Sequence, residues 1–107
     1  MKRLAVLAVA LVGLLSAADQ PRTFVGVITD TMCGAKHTMG ISPDAKCVRE
    51  CVKMDPKTKY ALYDGKNVYT LSDQQTPENF AAQKVRVTGV LFLKTKILQV
   101  EKIEAVQ

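Results

Sequence analysis

Three observations predict a mainly β fold with short helices. Five segments are rich in β-branched and aromatic residues and read as strands. An Asp64-Gly65 dipeptide sits between two alternating runs, the pattern of a tight hairpin. Helix-start signals fall only in the connections after the first and third strands. The order strand, helical insert, strand, strand, short helix, strand, strand fits a five-stranded, OB-fold-like Greek-key barrel. Closure also removes open sheet edges from a chain too short to cover them. An open α+β sheet is the alternative.

The N-terminus reads as a segment apart. Lys2 and Arg3 precede an apolar run from Leu4 to Leu15, and Ser16-Ala17-Ala18 follows with small residues. This is the pattern of a secretory signal peptide, residues 1–18, cleaved after Ala18. Twelve helical residues would reach about 18 Å, too short for a bilayer. The expectation is a protein exported to the periplasm or secreted, meeting the membrane only during export. Residues 19–107 then form a single domain. Loss of Lys2 and Arg3 lowers the formal charge from +5 to +3. No polybasic run, repeat or low-complexity segment stands out, so charge names no partner.

"TFVGVIT", Thr23 to Thr29, is the first strand. An insert over 30–56 follows, beginning as a loop that carries Gly34 and Gly40. Ser42-Pro43-Asp44 supplies a cap, a proline for the first helical position and a first-turn acid; Asp55-Pro56 stops the helix after about Met54. "KYALYDGKNVYTL" is a hairpin whose parity puts Tyr60, Leu62, Tyr69 and Leu71 on the core face. Thr76-Pro77-Glu78 opens a second short helix carrying Phe80, Ala81 and Ala82. "KVRVTGVLFL" is a strand with a bulge or bend at Gly89, and Lys94-Thr95-Lys96 turns it back. In "ILQVEKIEAV" the apolar residues Leu98, Val100 and Ile103 break parity, which predicts a second bulge near Glu101.

The segments "GVITDTMCGAKH", "KCVRECV", "KYALYDGKNVYTL" and "KVRVTGVL" resemble a group of small exported bacterial proteins with a predicted OB-like barrel. Its most specific part is Cys-Gly-x-x-His followed by Cys-x-x-x-Cys. The resemblance implies the fold and export, and carries no assigned activity.

All three cysteines and the sole histidine lie between Cys33 and Cys51. Cys47 and Cys51, four apart on the predicted helix, share a face, with Val48 and Val52 forming the neighbouring stripe. Cys33 and His37 have the same spacing. Two such pairs facing each other would supply three thiolates and an imidazole, a tetrahedral set suited to zinc. Met32, Met39 and Met54 lie in or beside the cluster. Thioethers with thiolates favour Cu(I), with Met39 as an extra or exchange ligand, but methionine equally fills irregular apolar gaps. A disulfide from Cys33 to Cys47 or Cys51 is the competing reading. It would add roughly 3 kcal/mol for a loop of about 15 residues, and it leaves one thiol over. A reactive thiol beside His37 is a third reading, without the Cys-x-x-Cys spacing of thioredoxin-like proteins.

Other chemistry is sparse. There is no serine triad pattern, phosphate-binding glycine loop or haem-attachment motif. OB-type barrels bind nucleic acid through exposed aromatics in a basic groove. Here the outward hairpin face offers Tyr63 with Lys66 nearby, and Phe92 on the outer parity of its strand. A half-buried role covering the sheet is the simpler reading of Tyr63, and export removes most nucleic acid from reach, so Tyr63 and Lys66 are kept only as a face for a protein or small ligand. The sequence therefore points to a non-enzymatic, exported binding module. Its metal site is Cys33, His37, Cys47 and Cys51, taking Zn or Cu(I). The competing class is a protein- or ligand-binding module braced by a disulfide.

Overall fold

The structure is a computed structural model that describes residues 20–34 and 44–106. The proposed signal segment, His37 and Met39 lie outside the described residues, as do Ser42 and Pro43. Five strands, β1 (Arg22–Asp30), β2 (Tyr60–Tyr63), β3 (Val68–Leu71), β4 (Lys84–Phe92) and β5 (Ile97–Ala105), form one mixed sheet. The sheet closes on itself in the order β1-β2-β3-β5-β4, so the closed ring is observed rather than the open sheet. Among the described residues a helix, α1 (Asp44–Met54), lies in the β1–β2 connection, and a 3₁₀ segment, Thr76–Phe80, lies between β3 and β4.

Alternation decides what faces inward. Tyr60, Leu62, Tyr69 and Leu71 all point into the core, as the hairpin parity requires. Ile28, Val85, Val87 and Leu98 complete it from the other strands. Ala61, on the opposite face, is also fully buried. The chain just after β1 folds back over that face: a methyl group on Gly34 would lie 3.3 Å from Val68 Cγ2, and Thr29 Oγ1 donates to Gly34 O at 2.6 Å.

Three expectations need adjustment. The strand expected over Thr23 to Thr29 runs from Arg22 to Asp30, which pairs with Tyr60. The second helix is a 3₁₀ segment that ends at Phe80. Ala81 instead bridges to Ile28, and Ala82 takes a left-handed φ of 63° that no helix continues through. The two expected bulges are one. Thr88 pairs with Lys102 and Gly89 with Val100, so Glu101 is the extra residue opposite that step. It switches the parity of β5, which explains why Leu98 and Ile103 could not share one alternation.

Gly26 marks a close backbone approach. A Cβ there would overlap the carbonyl oxygen of Tyr63 and lie 2.9 Å from its carbon. Only glycine lets β1 pass from pairing with β4 to pairing with β2 at this point.

Candidate metal centre

β1 ends at Asp30, which has the inward parity of Ile28 and is fully buried. Its Oδ1 accepts the backbone N–H of Met32 and of Cys33, both at 2.9 Å. This is the hydrogen-bonding mode by which aspartate reverses a chain. Gly34 completes the reversal with a φ of 54°. The far side of the turn is tied to the start of β2, where Thr31 N donates to Lys59 O at 2.9 Å and Lys59 N to Thr31 Oγ1 at 3.0 Å. β3 is too short to pair with Tyr60. The Gln74 side chain takes its place, accepting from Tyr60 N at 2.8 Å and donating to Tyr60 O at 3.0 Å. Asp30 and Cys33 are thus fixed to the rim of the barrel by backbone hydrogen bonds.

The helix brings the other sulfurs. Val48 is fully buried and joins the barrel core, with Val52 packed against it. Arg49 Nε donates to Glu78 O at 2.9 Å, and Lys53 pairs with Glu78 at 3.7 Å, docking α1 onto the 3₁₀ segment. With the valines inward, the adjacent stripe of Cys47 and Cys51 faces the turn. Cys51 is half-buried and Cys47 exposed. The donor atoms of Asp30, Cys33 and Cys51 all lie within 4.8 Å of one another. No two cysteines are at disulfide-bonding distance.

The electrostatics of this group are those of crowded acids. The Cys51 thiol is pushed up to about 11 from 9.0. Burial is the largest cause, followed by the negative charge of Asp30, then by Cys47, which also hydrogen-bonds it, and by Cys33. A thiol in such surroundings keeps its proton at neutral pH unless a cation replaces it.

The sequence reading singled out Cys33, His37, Cys47 and Cys51. The structure brings Cys33 to Cys51 and places Cys47 against Cys51. His37 lies outside the described residues, so the full four-residue set does as well. Asp30 was missed. The available signal was an acid at the end of a strand, three residues before Cys33, in a position to cap the turn that presents it. Met32 and Met54 are 56% and 82% exposed, so neither fills a gap in the core.

At the second suggested surface, Tyr63 is half-buried and its hydroxyl donates to Gly65 O at 3.1 Å. It lines a shallow groove of about 480 Å³ with Gly26, Asp64 and Lys84. Lys66 is exposed on the adjoining turn and is not part of that lining.

Among the described residues no helix is long and apolar enough to cross a membrane. No family model, curated protein or solved structure matches the chain.

Proposed function

We propose that this chain is an exported, OB-fold-type module that binds a thiophilic metal ion, Cu(I) or Zn, on the connection between its first two strands. The observation that carries the reading is the convergence of Asp30, Cys33 and Cys51 within 4.8 Å. Thiolates around a tetrahedral zinc at about 2.3 Å stand about 3.8 Å apart, so the group needs to contract by only about 1 Å. Cys47, already against Cys51, is the natural fourth donor, with His37 from the same connection as an alternative. The exposure of Met32 and Met54 favours Cu(I), since thioethers at the rim suit capture and exchange of a soft ion. The OB assignment rests on the strand order and closure, and export on the N-terminal pattern.

A disulfide between Cys33 and Cys51 is the second reading, favoured by the same short separation of their sulfurs. One experiment separates the two. The protein is exported, purified without reductant or chelator, and weighed intact under native and then denaturing conditions. A one-metal adduct lost on denaturation, leaving three reduced thiols, supports the metal site. A metal-free mass lighter by two hydrogens refutes it in favour of the disulfide.

A further inference from the structure

We propose that the β4–β5 hairpin tip is a docking device for an anionic lipid surface, at the opposite end of the barrel from the cysteines. Leu93 is 76% exposed, Phe92 44% and Ile97 37%. Phe92 and Ile97 pair directly across the hairpin, with Leu98 on the next, inward position fully buried. Phe92 and Ile97 therefore share the outward face of the hairpin end, and Leu93, the next residue, carries exposed apolar surface into the turn itself. Lys94 and Lys96, both exposed, sit within the same turn.

The tip is held in shape. Lys96 N donates to Phe92 O at 2.8 Å, and Lys96 O accepts from Thr70 N at 3.0 Å. Lys96 has a φ of 57°, a left-handed position that glycine or asparagine fills more easily. A lysine there spends conformational energy to place a cation beside the apolar tip.

Charge selects the occupant. No Asp or Glu occurs from Gly89 to Val100, the end of the β4–β5 hairpin, where the charged residues are Lys94 and Lys96. The β2–β3 turn at the same end adds Lys66 and Asp64, and the Asp64 carboxylate accepts the N–H groups of Lys66 and Asn67. A second copy packed on this tip by a two-fold axis would set lysines against lysines. An anionic bilayer takes the apolar residues into its acyl boundary and the ammonium groups at its phosphates, as interfacial anchors do.

The strand register gives the consequence. β1 runs from Arg22, paired with Gly89 near the tip, to Asp30 at the cysteine-bearing rim. A chain docked by its tip holds that rim away from the lipid.

The chain contains no tryptophan, so Leu93→Trp creates a single reporter. The full chain carrying it is mixed with vesicles of equal parts phosphatidylglycerol and phosphatidylcholine at low salt. The expected result is a blue-shifted emission shielded from aqueous quencher. Lys57→Trp, in the exposed turn before β2, should stay water-like even if the N-terminal segment contributes to binding. Adding Lys94→Glu and Lys96→Glu to Leu93→Trp should weaken the response at least about 25-fold, from about fivefold for each lysine. The proposal is overturned if emission is unchanged on anionic vesicles, or if charge reversal has no effect. A blue shift that follows protein concentration without lipid also overturns it, and assigns the tip to a second copy.

Discussion

Replacing Asp30 with asparagine should make Cys51 react faster with an alkylating agent. Asparagine keeps an oxygen for the N–H groups of Met32 and Cys33 and removes the negative charge. With its thiol at about 11, Cys51 is about one part in a thousand thiolate at pH 8, where a thiol at 9.0 would be about one part in ten. Burial, the largest cause of that displacement, survives the change, whereas the Asp30 contribution, next in size, does not. Asp30 ranks behind burial among several causes of a two-unit rise, so its loss raises the thiolate fraction by less than tenfold; the lower basicity takes back almost half of that on a logarithmic scale, for a net gain of up to about threefold. The assay is iodoacetamide labelling at pH 8 with chelator present, resolved by site through peptide mass spectrometry. Exposed Cys47 serves as the internal comparison. Asp30→Ala is the contrasting variant, because it strands two N–H groups and should lower stability by about 1–3 kcal/mol. A Cys51 rate that is unchanged or slower in a folded Asp30→Asn protein would refute the crowded-acid picture.

Three further outcomes are expected. Gly26→Ala drives a methyl group into the Tyr63 carbonyl and should destabilise the barrel by about 1–3 kcal/mol, seen as a lower urea midpoint; a wild-type midpoint would show that β1 and β2 separate freely there. Val48→Ala removes the main inward contact of α1 and should cost about 2 kcal/mol, lowering Tm by roughly 10 °C and, under the proposed function, weakening metal binding with it. Stability should also fall in alkali. Native Cys51 keeps its proton to about 11 while the unfolded thiol loses it near 9.0, so its contribution is whole below pH 9 and is lost as pH rises to 11. Tyr60 and Tyr69, raised first by burial and then by Glu78 and Asp64 respectively, extend the decline above pH 10. Urea midpoints of wild type and Cys51→Ala across this range test it, the variant being expected to show a shallower fall between pH 9 and 11.

The hairpin, its core face and the five strands were legible because alternation and turn chemistry are local signals. Tyr60, Leu62, Tyr69 and Leu71 needed no knowledge of their neighbours. What was not legible depends on distant partners. Glu101 reads as a bulge only once Thr88 and Gly89 are known to lie opposite it. Ala61 is buried on the face that hairpin parity assigns to the outside, where Gly34 approaches Val68, and Gln74 imitates a strand beside Tyr60. The cysteine cluster shows the same division. The i,i+4 spacing put Cys47 and Cys51 on one face, but nothing local could set that face against Asp30, because the encounter is made by Val48 entering the barrel.

The ring also has a seam. β1 and β4 pair from Arg22 to Val27, and β4 and β5 pair along almost their whole length, but β3 and β5 meet only at Thr70–Ile97 and Leu71–Leu98. That ladder is the single parallel one, and it joins segments with all of β4 between them in the chain. Its loop-closure entropy is paid last and repaid least. The β2–β3 and β4–β5 hairpins should therefore form early and the ring shut late, and the first native-state opening should run along this line, releasing the Thr70 amide to exchange with solvent before those of β4.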